Sequence, residues 1–453
     1  VSRGQVVVIG GGLAGISAAL RCADNGFTVT LLEARSRLGG ATYSFQRGEL
    51  EVDTGQHVFL RCYRNYRGLL DRLGVSSHVS IQPRFHIPVL APRGRRAEVR
   101  RWNLPAPWHL LPALLGYRLL TVGERIGVAR AAWAMRKLPL DDPELDRTSF
   151  ADWLRAHGQH DRAVDLFWGL LAVAALNASP RQASMALAAR VFRTGVLDET
   201  DSADIGIPQV PLSKLHGEPA HRELTASGVR VLLRCKVTGM QRGRDGLRVC
   251  FRERSGTSTI DADWVVVAVP HWSASRLLAG HGVAGREEWA QLSSAPIINV
   301  HVWYDRPVTD LPVSAVVDSP VQWVFDRTEA AGAGDGQYLV LSISAAQPYL
   351  HQRAEQLQQL FLPALEEIFP AARRAEVRDF FVSREPNATF LQAPGVARLR
   401  PGPHTEIPGL LLAGAWTATG FPDTTEGAVM SGLRAAEAVD LEQRSARGVE
   451  VTA

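Results

Sequence analysis

The stretch from Gln5 to Gly40, QVVVIGGGLAGISAALRCADNGFTVTLLEARSRLGG, constrains the fold more than any other part of the chain. Val6, Val7, Val8 and Ile9 make an apolar, β-branched run too short for a helix, and it fits a strand buried on both faces. Gly10, Gly12 and Gly15 then spell G-x-G-x-x-G where strand must turn into helix. The first glycine permits the tight turn, the second lets backbone approach a pyrophosphate, and the third lets helix pack on strand. Phosphate oxygens then meet amide hydrogens around Leu13 and Ala14, at the positive end of the helix dipole. A helix is expected over Ala14 to Asn25, stopped by Gly26, with the next strand over Thr28 to Leu32. Glu33 closes the unit 18 residues beyond Gly15, where a carboxylate accepts hydrogen bonds from a ribose 2′-OH.

Strand, turn, helix, strand and acid fall in register, which separates this stretch from an ordinary Gly-rich turn. Glu33 would repel a 2′-phosphate, so the expected nucleotide is FAD or NAD. Arg35, Arg37 and the doublet Gly39-Gly40 extend the motif into E-A-R-S-R-L-G-G. This resembles the extended flavin fingerprint of the amine oxidase and phytoene desaturase superfamily. The resemblance implies FAD, held by Gly10, Gly12, Leu13, Ala14, Gly15, Glu33, Ala34, Arg35 and the doublet, with an arginine near the pyrophosphate. Many members carry Arg directly after the doublet; this chain has Ala41, leaving Arg35 or Arg37 to compensate.

With 453 residues the chain can bury a large core in two or three domains, and 46% hydrophobic with 21% charged residues is a globular composition. Cys22, Cys62, Cys235 and Cys250 form no C-x-x-C pair and show no metal-ligand spacing, so reduced structural thiols and a cytoplasmic setting are expected. No secretory pattern precedes the first strand, and no apolar run reaches 18 residues. Between Arg61 and Lys137 there are 15 Lys/Arg against Asp71, Glu98 and Glu124. No docking module or stacking platform accompanies that stripe, so nucleic acid is not the expected partner.

Glu51-Val-Asp-Thr-Gly-Gln-His57 is a polar loop expected near the flavin through Gly55, Gln56 and His57, or else a solvated turn. A helix is expected over Tyr63 to Leu73, and a hairpin over Phe85 to Leu90 and Ala97 to Trp102. Leu104 to Leu140 is apolar and helical, with Trp108, Tyr117 and Trp133 as headgroup-type rings and Arg118, Arg125, Arg130, Arg136 and Lys137 as positive charge. It reads either as a monotopic membrane-docking surface and substrate entrance or as an ordinary helical cap. Ser149 is an N-cap for Phe150 to Arg155, and helices are expected over Arg162 to Leu176 and Ala183 to Phe192. Pro208 to Pro219 reads as a linker. Strands follow at Val229 to Leu233, Leu247 to Arg252, Thr259 to Asp261, Trp264 to Val269, Ile297 to Tyr304 and Tyr338 to Ser344. Ala354 to Ile368 is an amphipathic helix with a kink or break expected at Pro363. Trp323 and Phe325 share one face of a strand, as core or as substrate-tunnel wall. Near the C-terminus a buried strand ends at Gly414, and a polar loop leads into a helix over Glu426 to Val439, a second anion-friendly helix start.

Together these pieces resemble the hydroxysqualene dehydroxylases, also called squalene-associated FAD-dependent desaturases, of bacterial hopanoid synthesis. The carrying motifs are G-G-G-L-A-G at Gly10 to Gly15, T-G-Q-H-V-F-L-R-C-Y at Thr54 to Tyr63 and A-A-L-N at Ala174 to Asn177. V-P-L-S-K-L at Val210 to Leu215, Q-W-V-F-D-R at Gln322 to Arg327 and A-G-A-W-T-A-T-G-F-P with E-G-A up to Ala428 complete them. The resemblance implies further flavin contacts from Val237 backbone and from Gly414, Ala415, Thr424, Thr425, Glu426 and Ala428. Ala415 stands where many members carry Asp. It also implies an isoprenoid substrate, hydroxysqualene, whose hydroxyl is removed by hydride from reduced FAD; with the docking surface read at Leu104 to Leu140, the expected location is peripheral to the inner face of the cell membrane. His57 is the first candidate for the acid that protonates the leaving hydroxyl, with Gln56 and Asp53 orienting it. The alternatives are a carotenoid or phytoene desaturase, an amine oxidase, or a flavin-binding lipid carrier.

The expected fold is α/β, with a discontinuous Rossmann-type FAD-binding domain, an α+β substrate domain and a helical insertion. FAD-binding parts are expected at residues 1–80, 208–290 and 386–453. A helical cap is expected at 81–207, and the substrate sheet and helix at 291–385.

Overall fold

The computed structural model describes residues 3–243 and 246–446, so the end of the third FAD-binding part, residues 447–453, lies outside the described residues. Strand β1 (Gln5–Ile9) runs through Gly10–Gly12 into helix α1 (Leu13–Asp24), and β2 (Thr28–Glu33) returns parallel to β1 with Val7 opposite Thr30. Distant segments supply β3 (Arg230–Leu233), β4 (Trp264–Val267) and β5 (Leu410–Leu412). All pair in parallel, in the order β3-β2-β1-β4-β5. The central strands read as unbroken Val/Ile/Leu runs because both faces are covered, Val6, Val8 and Leu31 by the helices of one layer and Val7, Val265 and Val267 by an antiparallel sheet of strands 236–242, 247–253 and 256–262. Helix α2 (Thr425–Ala446) packs on α1 so closely that a Cβ at Gly432 would strike the Ala14 carbonyl oxygen. The two ends of the chain thus build one nucleotide-binding unit.

A seven-stranded sheet stands beside it, in the order 377–390, 294–304, 337–343, 323–326, 313–316, 86–91, 95–100. Helix Ala354–Ile368 covers one face, burying Leu357, Phe361 and Leu365 in the cluster around Val300 and Leu341. Pro363 lies inside that helix without ending it. The buried apolar stripe runs on both sides of the proline, and packing of that stripe holds the helix together across the lost amide hydrogen bond.

The hairpin forms at His86–Ala91 and Arg95–Arg100, yet it is not part of a helical cap. Val89 pairs in parallel with Ala315, which adds the hairpin to the substrate sheet. The stretch expected as a linker is ordered too: Ile205–Pro208 is a strand between Phe59–Leu60 and Val79–Ile81, and helices Leu212–His216 and Glu218–Ala226 follow. Pro211 and Pro219 stand at helix starts, as proline does in a first helical turn, and Pro208 closes the strand. The helical insertion therefore spans about 108–197. In it Tyr117, read from sequence as a headgroup ring, is buried and donates its hydroxyl to the Leu166 carbonyl at 2.7 Å.

Candidate functional site

The nucleotide fingerprint is shaped by close backbone approach. Gly10 has φ +111°, and a Cβ on Gly15 would overlap the Gly10 carbonyl oxygen. Gly40, at φ +60°, approaches so near that its Cβ would lie 2.8 Å from the Gly12 Cα, while the Gly39 amide donates to the Gly11 carbonyl at 2.9 Å. The doublet and the fingerprint loop thus form one cradle that any side chain would fill. Gly12 brings no side chain to cap α1, so the first-turn amides around Leu13 and Ala14 keep their hydrogens for an anion. Glu33 is buried; its two oxygens accept the amides of Gly11 and Arg35, each at 2.7 Å, which aims the carboxylate at the start of the cradle. The Arg35 carbonyl accepts the Arg234 amide, placing the segment leading to Val237 beside Ala34 and Arg35. Arg37 stacks 3.2 Å from the Tyr43 ring centroid and donates to the Gly40 carbonyl at 3.1 Å.

The second wall comes from the C-terminal loop. Gly414 follows β5 at φ +138° and donates its amide to Ser431 Oγ at 2.8 Å. The buried Arg400 guanidinium donates to the carbonyls of Ala415, Thr417 and Phe421 and fixes the loop between them. Burial lowers the Arg400 pKa to about 10, against small gains from Asp423 and Asp146. Thr425 Oγ1, at the first turn of α2, is buried with no partner among the described residues. A cradle of glycine backbone at one end and an orphaned hydroxyl at the other fit a dinucleotide bound between them.

From these walls a cavity of about 370 Å³ continues into the molecule. Leu13, Gly39, Thr424, Thr425 and Ala428 line one end, and Gly55, Gln56 and His57 its middle. Leu171, Ala175, Val191 and Val196 of the insertion, with Trp323 and Phe325 of the sheet, line the apolar end. Trp323 and Phe325, 6.3 Å apart between ring centroids, are therefore cavity wall. Asn177, with φ +47°, pins the insertion to the sheet by donating to Ala295 O and Thr389 Oγ1, each at 3.0 Å.

Three sequence expectations need correction. Asp53 is not on the cavity wall: its carboxylate pairs with buried Arg327 at 3.1 Å and accepts the Leu212 amide and the Ser44 hydroxyl. Burial raises its pKa, offset in part by Arg327, and its role is to lock the sheet to the nucleotide unit. Glu426 is turned away from the cavity, toward the first turn of helix Arg64–Arg72, where it accepts the amides of Asn65 and Tyr66. His57 does face the cavity, but burial with no charged partner lowers its pKa to about 4, which favours the uncharged imidazole, without a proton to donate, at neutral pH. Sequence reasoning missed Arg400, Ser431, Glu385 and Asp423; for Asp423 the only signal was an acid between Pro422 and Thr424 in an otherwise uncharged stretch.

Residues 13–440 match the family described as flavin containing amine oxidoreductase. The chain belongs to that family. Its cofactor is FAD, and this flavin-dependent oxidoreductase has the superfamily's mixed α/β fold. The flavoenzyme is 25% identical over 482 residues to a zeta-carotene desaturase of Synechocystis sp., covering 96% of this chain and 97% of that one. It is 26% identical over 441 residues to a hydroxysqualene dehydroxylase of Sinorhizobium fredii, covering 96% and 97%. Among solved structures, cyclohexylamine oxidase from Brevibacterium oxydans superimposes with a TM-score of 0.72 at 17% identity, covering 97% of this chain and 99% of that one. At that identity the likeness speaks to fold alone.

Proposed function

We propose that this flavoenzyme reductively removes the hydroxyl of hydroxysqualene to give squalene, a step of squalene and hopanoid biosynthesis. One observation carries the reading: a single cavity joins the nucleotide cradle to a wall of aliphatic and aromatic side chains, suited to a long hydrocarbon with one polar group. The fingerprint glycines, Glu33 and the start of α2 would hold FAD, which in reduced form supplies hydride. The chain's own part is to exclude water, orient the allylic alcohol and deliver one proton to its oxygen. Similarity to a hydroxysqualene dehydroxylase over nearly the whole chain supports this choice. The Q-W-V-F-D-R segment supports it too, since Gln322 fixes strand Trp323–Asp326 by bonding both ways to Ser344.

The reading extends to a lipid surface. Of the ten exposed large apolar side chains among the described residues, eight lie between Trp102 and Trp133. Trp108 is 53% exposed, Trp133 48% and Leu115 62%, with Arg118, Arg130 and Lys137 exposed around them. The patch backs onto the cavity: His109 bonds the carbonyl of Val196, whose side chain is cavity wall. Aromatic rings with a basic border suit an anionic membrane face, from which an isoprenoid would arrive.

Anaerobic addition of hydroxysqualene to the photoreduced holoenzyme tests the chemistry. Return of the oxidised flavin spectrum with one squalene per flavin is expected. The desaturase reading, favoured by similarity to carotenoid desaturases, predicts instead that oxidised enzyme is bleached by phytoene. A flavin that neither compound affects would sink both.

A further inference from the structure

We propose that the Asp423 carboxyl, and not the His57 imidazole, is the proton donor to the leaving hydroxyl, which makes Asp423 a catalytic residue. The inference rests on the dehydroxylase reading above. Asp423 lies two residues before α2, on the cavity wall beside Thr424 and on the same wall as Asn387 and Thr389. Its Oδ2 accepts the Phe390 amide at 2.9 Å, and its own amide donates to Gln392 Oε1 at 3.1 Å. Gln392 is in turn fixed by donating to the Leu176 carbonyl at 2.7 Å. A carboxyl on the cavity wall, anchored through Oδ2 and through its own backbone amide, is held as a positioned acid requires.

Burial, working against the one nearby cation, favours the protonated form. Arg400 is the cation nearest in effect, but its guanidinium is taken up by backbone carbonyls, and Asp423 has no ion pair among the described residues. Burial raises its pKa to about 6, against smaller opposing effects of the Phe390 amide and Arg400. The Asp423 carboxyl, raised by burial, therefore keeps its proton to higher pH than the His57 imidazole, which burial lowers. The other groups facing this end do not compete. Glu385 is raised by burial but stands near Arg35 and Arg37, which offset it. Tyr63 is pushed above the ordinary phenol range by burial and bonds Thr424, and Glu426 is held by Asn65 and Tyr66.

The step balances without a further co-reactant. The Asp423 proton passes to the hydroxyl oxygen, the carbon–oxygen bond breaks with its electron pair, and water leaves. Hydride from the reduced flavin forms the new carbon–hydrogen bond, so the carbon is reduced and the flavin oxidised. Asp423 is left as carboxylate and takes one proton back before the next turnover.

Single-turnover reoxidation of reduced Asp423→Asn by hydroxysqualene tests this. Its rate should fall about 10²-fold or more. Apo-protein titrated with FAD should still quench flavin fluorescence as the wild type does, and squalene should still perturb the oxidised flavin spectrum. The wild-type rate should decline above about pH 6, whereas the residual D423N rate should be flat and H57N should retain the wild-type profile. A D423N rate within threefold of wild type would overturn the proposal, as would D423N losses confined to FAD or squalene binding. If D423N does not fold, Asp423→Glu, which keeps the acid, should bind FAD and react within tenfold of wild type; a flavin-bound D423E more than a hundredfold slower would also overturn it. A wild-type enzyme unreactive toward hydroxysqualene removes the dehydroxylase reading and the proposal together, whereas a reactive wild type with an equally reactive D423N removes the proposal alone.

Discussion

The Glu426 carboxylate caps the helix that begins at Arg64, accepting the amide of Asn65 at 3.1 Å and that of Tyr66 at 2.8 Å. It also accepts from Asn65 Nδ2 at 2.8 Å, and it is buried. A negative charge at a helix N-terminus satisfies orphan amides and complements the dipole. Glu426→Ala leaves those amides buried and should cost about 1.5–3 kcal/mol. The check is a lower thermal midpoint for both apo and holo protein. FAD affinity should change less than it does in cradle variants, since the carboxylate does not reach the cavity.

Gly40→Ala should act the other way. Its φ of +60° and the 2.8 Å approach of its Cβ to Gly12 leave no room for a methyl group. Overpacking of about 1–3 kcal/mol would weaken FAD binding roughly tenfold to a hundredfold. Flavin content of the purified protein, read from its absorbance, checks this directly.

The paired Trp108 and Trp133 rings, 6.3 Å apart, give the membrane reading its own test. Replacing both by Ala should lower partitioning onto vesicles containing anionic lipid at least tenfold, from the apolar area lost. Turnover of detergent-dispersed substrate should stay as it was. Equal loss of both would show the rings to be part of the fold.

Acid should unfold the protein through its histidines. Burial lowers the pKa of His57 and His271 to about 4, and of His216 and His301 to about 3. These groups are depressed below the ordinary value near 6.5, so the folded state excludes protons that the unfolded chain binds. Their contribution is present above pH 6.5 and is lost as pH falls toward 4. Both ring nitrogens of His271 are buried and unpartnered among the described residues. His271→Leu should therefore leave stability at pH 7 unchanged or raised, and should flatten the decline between pH 6.5 and 5. Denaturant midpoints across that range check the sign.

What could be read from the sequence was local. The turn from β1 into α1 needs Gly10, Gly12 and Gly15 within a few residues of one another, and the alternation of apolar runs and glycines states it openly. The cradle partner Gly39-Gly40 lay close enough in the chain to be read with it. Residues whose partners are remote were misassigned. Glu426 sits at a helix start that invites an anion, but its partners are about 360 residues away. Asp53 stands next to the cavity loop, yet its charge belongs to Arg327, 274 residues on. Tyr117 has the composition of a membrane-facing ring, and only tertiary packing sends it inward. The hairpin at 86–100 was visible from its alternation, but its sheet was not, because the strand it joins comes more than 200 residues later.

The packing of α2 on α1, with Gly432 against the Ala14 carbonyl, has a consequence for biosynthesis. On the ribosome the glycine loop emerges about 400 residues before the helix that covers α1. A nascent chain must therefore shelter an uncovered helical flank over that interval, and the vitamin-derived prosthetic group can be enclosed only once the later helix is out. Supply of riboflavin to the growing cell then bears on how much polypeptide survives quality control, not only on how much of it is active.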